Sequence, residues 1–343
     1  MVNRELGTGT TFRQSAGTVK VAYFGLPLGA HLLLLDGHEL DPCVFSALDA
    51  PGRRRVQSQV PAPRLIDALR MPASELTAIV EQALSRAQPE LIVSWFWTRL
   101  LPETWLKGAR LGGIGVHPSL LPRHRGPNPY FWTIDAADHD AGVTLHVLAP
   151  EYDTGAILLQ RAIPTGERNS WQLAPALDRP SLALLREGVR RFAEARPPVA
   201  LEQHAADVTW APEPTGRELA VDWQWPTHRV LRRIRALAPV PGLAVEIASL
   251  RFFVTRARDA TQFVSALEPG EAAVIGESAK TPETLVIRTA DGAIAIERAL
   301  LSAEEPDGAA EDSAERELTE KSLALTLASR LPVVSSTWNR DLG

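Results

Sequence analysis

Apolar and polar positions along this chain fall into two successive regimes. Residues 19–25 read Val-Lys-Val-Ala-Tyr-Phe-Gly, an almost unbroken apolar run closed by glycine, and predict a buried strand. Residues 26–29 read as a turn, residues 30–35 begin a helix, and residues 43–46 read as a second strand. Strand, glycine turn, helix, strand is the opening of a doubly wound α/β sheet. Residues 74–87 place Leu76, Ile79, Val80 and Leu84 on one helical face, with Ser74 as N-cap. Residues 90–94 form the next buried run, and Ile114-Gly115-Val116 a short one that ends at His117. Residues 143–148 alternate with the period of a strand, and residues 156–159 form a further apolar run. Residues 180–196 predict a helix with Leu182, Leu184, Leu185, Val189 and Phe192 inward and Pro180 in its first turn. Arg196-Pro197-Pro198 then breaks the pattern.

The second regime starts near Arg217. Residues 227–237 predict a helix with Thr227 as N-cap, Val230, Leu231, Ile234 and Leu237 inward, and Arg229, Arg232, Arg233 and Arg235 around that face. Short runs follow at residues 244–247, 251–255, 272–275, 285–289 and 293–299, the last two joined by an Asp291-Gly292 hairpin turn. Five short strands predict a small barrel of OB type. The expected organisation is therefore an α/β domain with a doubly wound, mostly parallel sheet over residues 19–200, a linker over 201–216, and a small OB-like β-barrel domain over 217–302. An acidic, alanine-rich and then helical extension over 303–343 either packs back on the body or serves a partner. Residues 1–18 read as a polar extension.

Composition narrows the classes. The 343 residues suffice for two cores. A formal charge of -5 supplies no bulk basic field toward nucleic acid or membrane, though a local basic patch stays open. The single cysteine, Cys43, excludes an internal disulfide and fits a reducing cytoplasm. No C-x-x-C and no close histidine pair points to a metal. No apolar run has transmembrane length, and residues 1–18 lack a signal-peptide core. The first strand is not followed by G-x-G-x-x-G, which argues against a dinucleotide. Arg53-Arg54-Arg55 reads as a charged surface loop, either solvated or touching a phosphate or acceptor.

The candidate chemistry lies between residues 111 and 159. His117 stands where a strand turns into a loop, and Asp153-Thr154-Gly155 is a polar loop before an apolar run. A histidine and an aspartate each delivered by a loop at a strand end form a general-base layout: the carboxylate fixes the imidazole, and the imidazole moves a proton. His124, His139 and His146 lack such a context, although His146 could line the same site from its strand. Arg123 and Arg125 lie on a proline-stiffened loop and could meet an anionic group.

The run His117-Pro118-Ser119-Leu120-Leu121-Pro122, followed by GVTLHVLAPEYDTGAIL over residues 142–158, resembles the folate-dependent formyltransferases. Members of that family formylate initiator tRNA, amino sugars or glycinamide ribonucleotide, or hydrolyse formyltetrahydrofolate. The family pattern is Asn-x-His-Pro-Ser-Leu-Leu-Pro and a later Asp-x-Gly. The likeness extends over roughly residues 19 to 302 and implies 10-formyltetrahydrofolate as formyl donor, an amine acceptor and no metal. It makes His117 and Asp153 the catalytic pair and places the family's asparagine on Gly115. It assigns Trp95, Trp97, Leu100, Leu101, Tyr152 and Asp153 to the folate pocket, and Ser119, Arg125, Asn128 and Tyr130 to the acceptor side. Trp95-Phe96-Trp97 serves either as core or as a flat surface for the pterin. The basic stretch near Arg53 is shorter than the tRNA enzyme's loop, which points to a small-molecule amine rather than tRNA. Losing one oxyanion donor costs roughly a hundred- to a thousandfold in rate. Gly115 therefore leaves three readings: transfer with Asn128, water or protonated His117 compensating; altered chemistry such as hydrolysis; or a catalytically weak binding protein, against which the retained His117 and Asp153 argue.

Overall fold

The computed structural model describes residues 17–47, 50–69, 71–261, 267–278, 282–301 and 316–335. The expectations for residues 1–16, Asp49, residues 303–315 and residues 336–343 lie outside these. In chain order the elements are β1 (Lys20–Gly25), α1 (Pro27–Leu35), β2 (Glu39–Phe45), α2 (Arg53–Gln57), β3 (Leu65–Asp67), α3 (Ala73–Ala87), β4 (Leu91–Trp95), α4 (Glu103–Gly108) and β5 (Gly113–His117). There follow α5 (Pro129–Asp135), β6 (Asp140–Val147), β7 (Ile157–Pro164), α6 (Ser170–Ala193) and α7 (Thr227–Leu237). The chain continues with β8 (Leu243–Ile247), β9 (Leu250–Asp259), β10 (Ala272–Gly276), β11 (Pro282–Arg288), β12 (Ala293–Leu301), β13 (Arg316–Thr319), α8 (Glu320–Leu327) and β14 (Val333–Ser335).

These elements form two compact units that interleave along the chain. The first comprises residues 1–117, 143–161 and 179–207, the second residues 118–142, 162–178 and 208–343.

The first unit carries a seven-stranded sheet in the order β3-β2-β1-β4-β5-β6-β7. The strands from β3 to β5 run parallel, and β6 turns back antiparallel to β5. Parallel strands covered on both faces need side chains that are apolar on both faces, which is why β1 and β4 read as unbroken runs. Phe24, Val44, Ile92, Leu106 and Trp105 form one core cluster, with the Phe24 and Trp105 rings stacked 5.8 Å apart. Gly25 ends β1 with φ 137°, and a Cβ there would fall 1.7 Å from the Trp95 carbonyl oxygen, so only glycine fits.

Several local expectations are corrected. The predicted turn at residues 26–29 is already helix: α1 starts at Pro27, whose fixed φ and missing N–H suit the first position. The Arg53-Arg54-Arg55 loop is the start of helix α2. Ser74 does not cap α3, which begins one residue earlier after Pro72 without a side-chain cap. Helix α6 starts at Ser170, ten residues before its expected start, so Pro180 lies inside it.

The second unit carries an antiparallel sheet in the order β14-β10-β11-β12-β9-β8, with β13 added against β12. The Asp291-Gly292 hairpin joins β11 to β12 as expected. Register shifts near Ile275, Ile296 and Arg298 bend the strands, as bulges do in curved sheets. The extension packs on its own unit: α8 buries Leu323, Ala324 and Leu327, and β14 pairs in parallel with β10. Thr227 is not the cap of α7 but its first residue, and its N–H and hydroxyl both donate to Asp291.

Arg233, expected on the polar side of α7, is 5% exposed. Its guanidinium forks onto Asp135 at 2.7 and 3.0 Å, and its remaining nitrogen donates to the carbonyls of Arg217, Glu218 and Ala220. Arg229 takes the other side of the same carboxylate, and the Trp225 ring lies against both cations. Burial alone would raise the Asp135 carboxyl, but the two arginines outweigh it and hold the group below its ordinary range. The long-range partner makes this burial possible, and no local pattern announces it.

Candidate active site

The site in the first unit is built on the β5–β6 ladder. Gly115 and His117 are two apart on β5 and so project to one face of the sheet. Across the ladder Gly115 faces His146, and His117 faces Thr144. Both imidazoles are therefore delivered to the same face by strand register, and both are buried. Asp153 follows on the loop between β6 and β7, with φ 56° in the left-handed region, which aspartate tolerates better than most residues. Its Oδ1 lies 3.4 Å from His117 Nδ1 and 3.9 Å from His146 Nε2.

Two devices hold this loop. At Gly155 a Cβ would stand 1.8 Å from the Val147 carbonyl oxygen, so the chain passes where only glycine can. From outside the loop, Gln203 Nε2 donates to the carbonyls of Asp153 and Gly155, both at 2.7 Å. Leu201 pairs with Ile157 beside it. This part of the expected linker is thus a clasp on the Asp153 loop. A lone glutamine in a polar stretch carries no signal for that role.

The tautomers follow from the partners. His146 Nδ1 lies 2.9 Å from the carbonyl oxygen of Val147, which can only accept, so Nδ1 carries the proton and Nε2 faces the carboxylate. His117 Nδ1 is turned to Asp153, which leaves Nε2 as its basic nitrogen. Thr144, opposite His117, accepts from Gln160 Nε2 at 2.9 Å.

Gly115 occupies ordinary backbone. A Cβ there would meet Leu148 Cδ2 at 2.8 Å and Ser94 Cβ at 3.5 Å. The backbone does not require glycine, and the one close obstacle is the end of a leucine side chain.

The aromatic stretch divides. Trp95 is 3% exposed and its indole N–H donates to Ser181 Oγ at 3.1 Å, so it is a core residue. Trp97 packs edge-on against Phe24 at 5.5 Å, with its Nε1 buried and without a hydrogen-bond partner. Leu101 is buried in the same cluster, whereas Leu100 and Tyr152 are exposed.

Ser119, Arg125, Asn128 and Tyr130 belong to the second unit. Ser119 Oγ donates to the Arg123 carbonyl at 2.6 Å. Arg125 is tied through its backbone to Thr209 and Ala211. Asn128 caps α5 with its side-chain oxygen and donates to Glu213 with its nitrogen. Its amide oxygen and one of its two N–H groups are thus engaged within its own unit. The Tyr130 hydroxyl is buried without a partner, and burial, with Asp178 nearby, pushes its pKa up. His124 and Arg123 converge on Asp138, His124 Nε2 at 2.7 Å and Arg123 at 2.6 and 3.2 Å. Arg123 is thereby paired with Asp138 through Nε and Nη2.

Among the described residues no group of histidine, cysteine, aspartate and glutamate side chains could hold a metal ion. No helix among them is long and apolar enough to cross a membrane. The formyl transferase profile matches residues 42–172, and the profile of the formyl transferase C-terminal domain matches residues 215–311. A methionyl-tRNA formyltransferase of Koribacter versatilis (strain Ellin345) is 30% identical over 261 residues, covering 74% of this chain and 82% of that protein. The chain belongs to the formyltransferase family. A second methionyl-tRNA formyltransferase, from Anaeromyxobacter dehalogenans (strain 2CP-C), is 32% identical over 75% of this formyltransferase and 85% of its own length. Two solved structures share the fold. HypX from Aquifex aeolicus, in complex with tetrahydrofolic acid, superposes with a TM-score of 0.60 at 18% identity. The match covers 92% of this chain but only 49% of HypX, so the formyltransferase spans about half the length of that protein. WlaRD, a sugar 3N-formyl transferase solved in the presence of dTDP and 5-N-formyl-THF, gives a TM-score of 0.57 at 13% identity over 81% of this chain and 97% of its own.

Proposed function

We propose that this formyltransferase moves the formyl group of 10-formyltetrahydrofolate to the amine of a small molecule. The observation that carries the reading is the His117–Asp153 pair, joined at 3.4 Å on one face of the sheet in a chain of this family. The amine nitrogen adds to the formyl carbon, and the carbonyl electron pair moves onto oxygen. His117 Nε2 takes the amine proton, and Asp153 stabilises the imidazolium through Nδ1. When the tetrahedral species collapses, the C=O bond re-forms, the bond to the folate nitrogen breaks, and the proton passes from His117 to that nitrogen. The products are a formamide and tetrahydrofolate. The unpartnered indole N–H of Trp97 fits a donor ligand with acceptor atoms on its ring.

The developing oxyanion needs a donor, and Gly115 supplies none from a side chain. His146, the cross-strand neighbour of Gly115, takes that place in this reading. Its Nδ1–H is on the Val147 carbonyl, and its Nε2 is the nitrogen on the Asp153 side. The same glycine favours a second reading, in which water replaces the amine and the products are formate and tetrahydrofolate.

Tetrahydrofolate release from 10-formyltetrahydrofolate tests both. It is measured with no acceptor, with initiator tRNA, and with a panel of small amines. Release that depends on a small amine supports the proposal. Release without acceptor supports hydrolysis, and release dependent on tRNA overturns the small-molecule acceptor. Turnover in no arm sinks both readings.

A further inference from the structure

Within the first unit a second cavity, of about 520 Å³, opens at the other edge of the sheet. Its walls are the end of α1 and the start of β2, β7 near Leu159, and the later turns of α6. His117 ends β5, whereas His38 precedes β2, and the two strands belong to one parallel set. The cavity therefore faces the amino edge of that sheet, and none of His117, His146 and Asp153 lines it.

Its charge is net positive. Arg161, Arg186, Arg190 and Arg191 line it with the carboxylates Asp36 and Glu187, and Glu194 pairs with Arg190 beside it, so four positive groups stand against three negative ones. The carboxylates orient Arg186 and Arg191 without using them up, whereas every nitrogen of Arg190 is engaged. Asp36 holds Arg186 through Nε and Nη2, leaving Nη1. Glu187 holds Arg191 through Nε alone, at 2.6 Å. Arg190 is shared between Glu187 and Glu194. Arg161 has no ion-pair or hydrogen-bond partner among the described residues.

His38 also lines the cavity; it is 5% exposed, and its Nδ1 is buried without a hydrogen-bond partner. Burial lowers the His38 pKa, with Asp36 opposing, so the ring is neutral at pH 7 and bonds without adding charge.

We infer that this cavity is a binding site for a phosphate-bearing small molecule. The choice of phosphate comes from the stoichiometry of donors. A carboxylate is satisfied by a single guanidinium edge, as Asp36 on Arg186 shows. Here donors converge from Arg161 on β7 and from Arg186 and Arg191 on α6. That set matches an anion with three acceptor oxygens and a charge near -2. The volume is in the usual range for small-molecule sites, roughly 300–1,000 Å³, and Leu159 and Leu184 supply an apolar wall for the body of the ligand.

Calorimetry on the full chain tests this with pyrophosphate, ADP and succinate at constant ionic strength. The expected result is saturable binding of pyrophosphate or ADP, weakened at least tenfold in Arg161→Glu. Tighter binding of ADP places a nucleoside on the apolar wall; equal binding assigns the affinity to the phosphates. Arg161→Gln, with a melting curve matching the parent, separates lost binding from lost folding and is expected to weaken binding several-fold. No saturable heat from either phosphate, equal binding by Arg161→Glu, or succinate binding as tightly as pyrophosphate overturns the inference.

Discussion

One motif, running from His117 to His124, contributes a histidine to each unit, and each histidine finds an aspartate. The two pairs are built oppositely. Asp138 is gripped at 2.7 Å by His124 and at 2.6 and 3.2 Å by Arg123. Asp153 stands 3.4 Å from His117 and 3.9 Å from His146, on a loop in left-handed backbone that is anchored from Gln203 rather than from the histidines. Short, charge-assisted contacts fix a carboxylate in one state and serve the fold. A carboxylate set at longer range beside two imidazoles can answer a change in their protonation, and free-state catalytic geometry is commonly loose. His–Asp proximity alone therefore does not mark an active site; the spacing of the pair and the support of its loop do.

Exchanging the amides separates the two pairs most sharply. Asp153→Asn is expected to lower tetrahydrofolate release by about 10²–10⁴-fold, the usual share of acid–base catalysis, with an unchanged melting temperature. If release survives while melting falls, the assignment of the pairs is reversed. Asp138→Asn should do the opposite and cost about 1–3 kcal/mol in urea unfolding. The lower end is expected because Arg123 is half exposed and its pairing is screened.

A smaller effect sharpens the comparison from the loop side. Gln203→Glu keeps the size of the side chain but removes the donors to the Asp153 and Gly155 carbonyls. Losing those bonds is expected to cost about 1–3 kcal/mol locally, read as a roughly tenfold fall in kcat. The pH profile of kcat/KM should keep its inflections in the uncharged variant Gln203→Met, which removes the same donors without adding a carboxylate. A moved inflection would make Gln203 part of the proton-transfer machinery.

The smallest effect is in the acid limb of stability. The Asp138 carboxyl is raised by burial but lowered more by His124 and Arg123, and its folded value is below the ordinary one. The stability it gives is complete above the ordinary carboxylate range and is lost as pH falls below about 4. His38 is also lowered, by burial, so its contribution is full above the ordinary histidine value of 6.5 and declines as pH falls below it. Melting temperature should thus fall in two windows. Asp138→Asn should make the lower window shallower, with Asp135 among the carboxyls still contributing, and His38→Gln should do the same for the upper, with His31 remaining; an unchanged slope in both variants would contradict the assignment.

Much of this was legible in one sequence. His117 and Asp153 announce themselves because each follows an apolar strand run and joins a motif, and the buried strands β1 and β4 are continuous apolar stretches. What stayed hidden depends on partners distant in the chain. Gln203 acts on a loop fifty residues earlier, and Arg233 becomes a buried residue only because Asp135, ninety-eight residues before it, meets it. His146 reads as an ordinary strand residue until ladder register sets it opposite Gly115. Trp95 reads as pocket or core by composition; it is buried, and its bonding partner Ser181 comes eighty-six positions later. Two helix starts read too late from the local pattern: Pro27, which reads as part of a turn, opens α1, and Pro180, which reads as a first-turn residue, lies inside α6.

The pairing of β14 with β10 has a consequence for handling the protein. The matched C-terminal profile ends at residue 311, but the sheet does not. A chain cut there would lose β13, α8 and β14, baring one edge of β10 and the apolar face that Leu323, Ala324 and Leu327 cover. An uncovered edge beside an apolar face is a template for another copy of the same strand. The boundary of family likeness and the boundary of solubility are thus different places in this chain, and a shortened version would be expected to precipitate before its chemistry could be assayed.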